Sequence, residues 1–398
     1  MDLKKQLILY GAYDRYNYGD NLMPLVFARY IELHCPALTN EFDIVYASIS
    51  QSDLSQYASP KTEPIEKVLK TAPSGSAIIV IGGEVLCASN LALLMHMQNN
   101  KLFHLLMRAG RKLLRRYLAV LASPFYGTKW EFPYIPDMQY LPQGVSLVFN
   151  TVGGEISGLS GAKKVQVLDS LNKAAYLSVR DKRTEANVSK EISNLHLYPD
   201  SVFLISDVID DDFLKDKVRD TLINTCSCAF LCYQASPYKV KETPEQTASA
   251  LKQIADARHE KVFLLPIGYA SGHDDADYLK AVGDAFDGEV LFANDLNVWE
   301  IMYVIKHSKL FVGTSLHGVI TAMAFNHPHF GLNPDITKVD SFLKDWSIAP
   351  FNKAMRLEEI VALAKQDLSA YTPALHDNSE RLANLVKDNN QNIIDAIM

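Results

Sequence analysis

Histidine 317 lies where a predicted strand gives way to a predicted helix. The apolar residues 310–312 predict a buried parallel strand, and residues 319–325 continue with helical character. Gly318 follows the histidine and permits the close approach of another backbone. Because ligands of open α/β sheets bind beyond the carboxyl ends of the strands, His317 is placed to act as an acid, a base or a phosphate partner. The alternative interpretation is a capping or packing histidine.

Arginine 180 ends another predicted strand, over residues 174–179, and Asp181 follows it. A guanidinium in this place can clamp a carboxylate or phosphate through two parallel hydrogen bonds. The alternative interpretation is a structural ion pair between Arg180 and Asp181. Asp200, in the sequence Tyr-Pro-Asp, adds a carboxylate near the end of a strand predicted over residues 195–204.

The first predicted strand, residues 7–10, runs into a polar loop that contains glycine. The loop lacks the GxGxxG spacing of a dinucleotide site, although a doubly wound fold places its ligand here. The same loop can instead cap the helix predicted over residues 22–33, through Asp20 or Asn21. The candidate binding residues of this loop are Tyr18, Gly19, Asp20 and Asn21.

Glycines also follow the strand predicted over residues 76–81. Gly82 and Gly83, with Glu84 after them, let a substrate approach backbone N–H groups, and a tight turn is the alternative use. Pro266 closes a further predicted strand. Because the carboxyl ends of parallel strands meet at one edge, these positions are predicted to share one rim, made of Tyr18, Gly82, Arg180, Pro266 and His317.

Strands alternate with helices along most of the chain, which predicts parallel sheets. The 398 residues exceed one compact core, so we predict an α/β protein with two Rossmann-like domains that face each other across a cleft. The predicted units are residues 1–205, with a basic helical insertion near residues 91–127, then residues 206–375 and a C-terminal helix over residues 376–398.

Composition and charge exclude several classes of protein. The net charge of -7 disfavours binding to nucleic acid. The five cysteines form no paired framework, and three of them lie in the apolar residues 225–233, which predict a buried strand, so we expect no metal site. Reduced thiols, and the absence of an apolar run near the roughly 18 residues of a membrane span, predict a cytoplasmic protein.

A basic stripe occupies the predicted insertion. Its five cations have the 0, 3, 4, 7, 8 spacing of one helix face, and leucines supply an apolar side. The pattern is typical of a helix on an anionic membrane surface or near a phosphorylated acceptor, and it predicts peripheral contact with the inner face of the membrane through residues 102–121. A solvated outer face over a packed inner one is the alternative. The cations are Arg108, Arg111, Lys112, Arg115 and Arg116.

A series of short motifs resembles the polysaccharide pyruvyl transferase family. The series covers roughly residues 7 to 335, and its His-Gly block is the most specific part. The resemblance implies two Rossmann-type domains in the arrangement of GT-B glycosyltransferases. The motifs are Asn17-Tyr-Gly-Asp-Asn21, Gly82-Gly-Glu-Val-Leu86, Ser178-Val-Arg-Asp181, Tyr198-Pro-Asp200 and Val312-Gly-Thr-Ser-Leu-His-Gly-Val-Ile-Thr-Ala322.

The resemblance implies transfer of an enolpyruvyl unit from phosphoenolpyruvate to a saccharide, commonly as a ketal across two hydroxyls, in the synthesis of surface polysaccharide or other glycans. His317 would be the general acid/base, and Arg180 would hold the carboxylate or phosphate of the donor. Backbone N–H groups near Gly82, Gly83 and the helix after His317 would donate hydrogen bonds to the anionic oxygens of the donor. Ser315, Leu316 and Gly318 belong to the same block. The scheme requires no metal and no cofactor besides the donor, and its acceptor can be lipid-linked, nucleotide-linked or polymeric.

The sequence departs from the family pattern at two positions. Many members carry arginine where Ser315 stands, so one cation of the donor site is missing, and the candidates to replace it are Lys309, Lys338 and Arg183. Glu84 stands where the family has a third glycine. Two other functions remain open: a GT-B glycosyltransferase that uses a nucleotide sugar, and a saccharide-binding relative without catalytic activity.

Overall fold

The computed structural model describes residues 4–86, 88–90, 93, 127–269 and 275–398. Within these ranges the chain forms two parallel sheets, each covered by helices on both faces. The predicted basic helix over residues 102–121 lies outside the described residues, so its contact with a membrane stays a prediction. None of the described helices is both long enough and apolar enough to cross a membrane.

The first sheet has seven described strands, all parallel, in the order β3-β2-β1-β4-β5-β6-β7. Its central strand Ala77–Ile81 is entirely buried, as expected for an apolar run covered on both faces. The strands are β1 (Lys5–Tyr10), β2 (Phe42–Ser48), β3 (Glu63–Pro64), β4 (Ala77–Ile81), β5 (Ser146–Val152), β6 (Tyr176–Val179) and β7 (His196–Leu197). The helices of this part are α1 (Tyr18–His34), α2 (Pro36–Glu41), α3 (Ile65–Leu69), α4 (Gly161–Lys173) and α5 (Lys182–Val188).

Short helices connect the two sheets. They begin at the end of a 3-10 turn over Ser201–Leu204, and an acidic side chain, Asp210, caps the second of them by accepting from the N–H of Phe213. The predicted boundary between residues 205 and 206 lies at the start of the first of these helices and stays a prediction. The connecting helices are α6 (Ile205–Val208), α7 (Asp211–Asp216) and α8 (Asp220–Thr225).

The second sheet has six described strands, all parallel, in the order β10-β9-β8-β11-β12-β13. Its strands are β8 (Phe230–Gln234), β9 (Lys261–Leu264), β10 (Val290–Phe292), β11 (Leu310–Gly313), β12 (His329–Leu332) and β13 (Ala354–Met355). The helices of this part are α9 (Pro244–Arg258), α10 (Ala276–Ala285), α11 (Val298–His307), α12 (Leu316–Ala324), α13 (Thr337–Trp346), α14 (Leu357–Ala364) and α15 (Thr372–Ile397).

In each sheet, successive strands are added first on one side of the starting strand and then on the other. This single reversal fixes where a ligand can bind. The reversal falls between β1 and β4 in the first sheet and between β8 and β11 in the second. A crevice opens at such a point because the helices that follow the two strands lie on opposite faces of the sheet. The four loops after these strands therefore converge on one space between the domains, and the predicted fold is confirmed.

Among the contacts that join the two domains beside this space, three involve the loop after β1 and the start of α1. The hydroxyl of Tyr18 lies 2.9 Å from that of Thr321, and the hydroxyl of Tyr16 donates to the carbonyl of Leu296 at 2.8 Å. Asn17 also forms an isolated antiparallel bridge with Gly268. The domains are thus held in contact by residues of the loop after β1 and the first turn of α1.

The long C-terminal helix α15 spans both domains. Near its start, the hydroxyl of Ser379 donates to the carbonyl of Ala324 in the second domain at 3.0 Å. Near its end, the amide of Asn389 donates to the side chain of Asn150 at 2.9 Å and accepts from the hydroxyl of Tyr176 at 3.0 Å, both in the first domain. The end of the chain therefore packs back onto the domain where the chain begins.

Several boundaries differ from the sequence predictions. Helix α1 begins at Tyr18, because the side chain of Asn17 caps it by accepting from the N–H of Asp20, so the predicted loop is the first helical turn. Cys226 and Cys228 lie in the turn after α8, before strand β8 begins, and not in the strand as predicted. The structure also contains the short strand β13, which the sequence did not predict because two residues are too few to show a periodicity.

Candidate active site

A cavity of about 310 Å³ lies between the two domains, at the facing reversals of strand order. It contains more charged side chains than a binding site for an apolar molecule would hold. The first domain contributes polar groups from Arg15, Asn17, Asp20, Gly83, Glu84 and Arg180. The second domain contributes Gln234, Lys239, Asp275, Ser315, His317 and Lys338.

His317 lies in the first turn of α12, with its side chain only 12% exposed. Ser315 caps this helix, since its hydroxyl accepts from the N–H of Gly318 at 3.3 Å. The ring nitrogen Nε2 of His317 is 3.4 Å from Oδ2 of Asp200, which belongs to the other domain and is fully buried. A histidine next to a buried carboxylate can hold a proton and deliver it to a substrate.

Asp200 remains ionised despite its burial. Burial raises the pKa of its carboxyl, but His317, Arg180 and the N–H of Val202 outweigh this effect and hold the pKa below its usual value. The N–H of Val202 donates to Oδ1 at 3.1 Å, which fixes the carboxylate at the start of a 3-10 turn. Oδ2 therefore stays directed at His317.

Arg180 follows β6 and is 1% exposed. Its guanidinium contacts three carboxylates: Glu84 at 2.9 Å, Asp200 at 3.4 Å and Asp181 at 3.9 Å. Burial lowers the pKa of Arg180, but these charges outweigh it and raise the pKa. Trp346 of the second domain donates to its carbonyl at 2.8 Å. Arg180 thus holds Asp200 in place while it lines the cavity.

Gly19 lies directly behind the ring of His317. A Cβ atom on Gly19 would stand 1.7 Å from Nδ1 of the ring, far inside van der Waals contact. The first turn of α1 and the first turn of α12 come this close because the neighbouring Tyr18 and Thr321 join them. Glycine at position 19 is therefore needed for the ring of His317 to lie where it does.

Two half-buried lysines, Lys239 and Lys338, face the same cavity. Within the described ranges, neither ammonium forms an ion pair with a carboxylate. Removal from water lowers the pKa of both, and the charges of Lys239 and Arg180 lower that of Lys338 further, to about 8. Like charges without a counter-ion favour the binding of an anion between them.

A family model for polysaccharide pyruvyl transferase matches residues 17–336. The match includes Asn17, Glu84, Arg180, Asp200 and His317, and it covers most of the chain. The chain belongs to the polysaccharide pyruvyl transferase family. The resemblance of the short motifs is thereby confirmed, and no curated protein sequence matches the chain.

Several solved structures resemble this member of the pyruvyl transferase family. Their sequence identity to it is so low that the resemblance concerns the fold alone. A UDP-GlcNAc 2-epimerase from Neisseria meningitidis matches with a TM-score of 0.52 at 9% identity, covering 98% of this chain and 99% of the epimerase. The UDP-GlcNAc 2-epimerase of Methanocaldococcus jannaschii matches with a TM-score of 0.50 at 10% identity, covering 91% of each chain. The N-terminal domain of Candida albicans trehalose-6-phosphate phosphatase matches with a TM-score of 0.50 at 10% identity, covering 99% of this chain and 97% of the phosphatase domain. These similarities confirm the GT-B arrangement.

The structure brings some of the predicted site residues together in the cavity. The residues of the predicted set that line the cavity are Asp20, Gly83, Glu84, Arg180, Ser315, Leu316 and His317. The carboxylate of Glu84 accepts from Arg180 at 2.9 Å and from Arg183 at 2.5 Å. This turn contributes an ion pair to the site.

The other predicted residues lie beside the cavity and hold its walls. Tyr18 is fully buried between the domains, and Oδ1 of Asn21 accepts from the N–H of Asn17 at 2.8 Å. Asp181 caps α5 by accepting from the N–H of Thr184 at 2.7 Å. A Cβ on Gly318 would stand 2.5 Å from the ring of Phe311, so this glycine serves packing. Gly82 and Pro266 are also buried, and they do not belong to the cavity lining.

The three cations proposed to replace the missing family arginine lie in different places. Lys309 is exposed at the amino end of β11, while the cavity lies at the carboxyl end, so it does not reach the site. Arg183 is bound to Glu84. Lys338 lines the cavity directly.

The cavity is also lined by three residues that were not predicted from the sequence, Gln234, Lys239 and Asp275. Gln234 is a buried polar residue at the carboxyl end of β8, a signal equivalent to the one that identified Arg180. Lys239 and Asp275 lie outside the strands and helices, where no hydrophobic period indicates which way a side chain points.

Proposed function

We propose that this chain transfers a pyruvyl unit from phosphoenolpyruvate to a pair of saccharide hydroxyls. The observation that supports it best is one cavity that brings together His317, Asp200 and two lysines that form no ion pair within the described ranges. Phosphoenolpyruvate carries a carboxylate and a phosphate, and its reaction begins with a proton. A site for this donor therefore needs cations and an acid side by side.

His317 is the proposed acid of this reaction. Its proton adds to C3 of the donor, and positive charge then develops at C2 next to the carboxylate. A saccharide hydroxyl attacks C2, the bond to the phosphate oxygen breaks, and a second hydroxyl closes the ketal. One hydroxyl proton balances the proton gained by C3, and the other leaves with inorganic phosphate. Asp200 stabilises the protonated histidine from 3.4 Å away.

Lys338 and Lys239 are the proposed anion partners of the donor. Both face the cavity, and Lys338 supplies the cation that is missing at Ser315. Arg180 acts in this proposal mainly as a positioning residue, because its terminal nitrogens already contact Glu84 and Asp200. The acceptor in this proposal is a saccharide used in surface polysaccharide or glycan synthesis, with lipid linkage as one form that it can take.

We expect Lys338→Met to bind phosphoenolpyruvate about 10–100-fold more weakly than wild type, because one charge-assisted contact is lost. Affinity of the wild type should fall as the pH rises above about 8, where the ammonium loses its proton, and the variant should lack this fall. Calorimetric titration from pH 6.5 to 9 measures both effects.

The matched control is Lys344→Met, on the same helix α13, where the ammonium is exposed and pairs with Asp340. It should bind the donor like wild type. A panel of nucleotide sugars titrated in parallel tests the alternative donors. Selective binding of a nucleotide sugar, without a response to phosphoenolpyruvate, would instead identify a glycosyltransferase. Saccharide binding without phosphate release from any donor would indicate a non-catalytic relative.

Gly19→Ala is expected to lower turnover about 100-fold, since the methyl group must displace the ring of His317. Phosphate release from phosphoenolpyruvate in the presence of p-nitrophenyl hexopyranosides measures turnover. Ala28→Gly, on the same helix α1 but away from the cavity, controls for a change in helix stability. Wild-type turnover in Gly19→Ala would show that the ring position does not matter.

A further inference from the structure

Asp275 is a second acid/base candidate in the cavity. Its side chain is 2% exposed and lies just before α10. Three donors converge on its Oδ2 atom: the side-chain amide of Gln234 at 2.8 Å, and the N–H groups of Ile267 at 3.2 Å and Gly268 at 3.1 Å. Oδ1 accepts no hydrogen bond from the part of the chain that the structure describes. One oxygen is therefore anchored, and the other is available to a ligand.

Gln234 ties this carboxylate to the turn that carries His317. Its carbonyl oxygen accepts from the N–H of Thr314 at 3.0 Å and from the N–H of Ser315 at 2.8 Å, while its amide group donates to Asp275. Ser315 is the cap of the helix on which His317 lies. Gln234 thus links the position of Asp275 to that of His317 through one buried side chain.

The environment of Asp275 favours a base that works near neutral pH. Burial raises the pKa of its carboxyl to about 6, although hydrogen bonds from Gln234, Gly268 and Ile267 lower it. Among the described residues, the charged and titratable groups that face it are Lys239, which also lowers its pKa, and Tyr269. At pH 7 the carboxylate is ionised, and it can accept a proton more readily than an exposed aspartate can.

We propose that Asp275 is the catalytic base that removes the proton from the attacking saccharide hydroxyl. This inference rests on the proposed function, because ketal formation needs an acid for C3 of the donor and a base for the acceptor. The acceptor O–H bond breaks as its oxygen bonds to C2, and the proton moves to Oδ1 of Asp275. His317 has by then given its own proton to C3, so each group has one task in the first addition. The proton on Asp275 then leaves with the released phosphate.

Asp275→Asn tests this role with little disturbance of the fold. The amide oxygen of asparagine can still accept from the same three donors, but the amide nitrogen cannot take a proton. We expect phosphoenolpyruvate to bind within about threefold of wild type in calorimetric titration, while phosphate release with p-nitrophenyl hexopyranosides falls about 10²–10⁴-fold. Asp277→Asn, exposed on the same helix α10, is the matched control and should match wild type in both assays.

A pH profile separates a base from a structural residue. Turnover of the wild type should fall as the pH drops below about 6, where Asp275 gains a proton, and the residual turnover of Asp275→Asn should lack that fall. Titration of the donor at pH 6.5 in two buffers of different ionisation enthalpy adds a readout that needs no acceptor. The anionic donor should raise the pKa of Asp275, so wild type and Asp277→Asn take up more protons on binding than Asp275→Asn does.

Equal turnover in Asp275→Asn and wild type would overturn the proposal, and so would equal proton uptake. Loss of phosphoenolpyruvate binding in the variant alone would place Asp275 at the donor and also overturn its role as a base. Failure of the proposed function has a different result, because the wild type itself would then not bind phosphoenolpyruvate.

Discussion

Replacement of His317 by alanine is expected to lower phosphate release from phosphoenolpyruvate by about 10²–10⁴-fold, the usual contribution of a general acid. The variant loses the proton donor but keeps the lysines of the cavity. Its affinity for phosphoenolpyruvate, measured by calorimetry, should therefore change much less than its turnover. Loss of turnover with retained binding is the result that assigns proton transfer to this side chain.

His376→Ala is the matched control, because that histidine is exposed on α15, far along the chain from the cavity residues. It should release phosphate like wild type. The melting temperature of His376→Ala should stay near that of the wild type, whereas that of His317→Ala should fall, because the buried carboxylate of Asp200 loses one of the groups that compensate its charge. Unchanged turnover in His317→Ala would exclude this histidine as the acid.

Replacement of Arg180 by methionine is expected to have the largest effect on stability. The guanidinium compensates the charges of Glu84, Asp181 and Asp200, and the last two are fully buried. Removal of one partner leaves carboxylates without compensation, which costs about 3–5 kcal/mol of unfolding free energy. Urea unfolding at pH 7 measures the loss.

The pH dependence identifies the cause of that loss. Arg180 lowers the pKa of Asp200 and of Glu84, although burial opposes it at both. Stability that comes from a lowered carboxyl pKa is present above the unfolded pKa, near 4, and disappears as the pH falls through the lower folded value. The difference between Arg180→Met and wild type should therefore be greatest near neutral pH and shrink in acid.

Arg183→Met is the control for this experiment, because Arg183 also contacts Glu84 and lies 3.7 Å from Asp181, but its side chain is 25% exposed, whereas that of Arg180 is 1% exposed. Solvent screens its charge, so its loss should cost about 1 kcal/mol or less. Equal stability of the two variants would show that Arg180 is not the centre of this carboxylate cluster.

The sequence was sufficient for the fold and for the edge on which the site lies. Apolar runs that end in glycine or a charged residue indicated the carboxyl ends of β4, β6 and β11, and parallel strands bring those ends to one side. Gly82, Arg180 and His317 could be placed on one rim for this reason. The same rule applied to Gln234, at the end of β8, would have added one more residue.

The contacts across the cleft could not be predicted from the sequence. Asp200 meets His317 only because the two sheets face each other, and no spacing along one chain segment encodes the relative position of two domains. Gly19 was a candidate to line the binding pocket, whereas the space beside it is filled by the ring of His317. Lys239 and Asp275 lie outside the regular elements, so no period revealed which side chains turn inward.

The pairing of His317 with Asp200 has a consequence for the timing of chemistry. Each domain contributes one of the two groups, so the pair that we propose as the acid forms only while the domains are in contact, as they are at Tyr18 and Thr321. If the domains were to separate, the imidazole of His317 would lose the carboxylate of Asp200. Under the proposed mechanism, protonation of the donor would therefore depend on contact between the two domains.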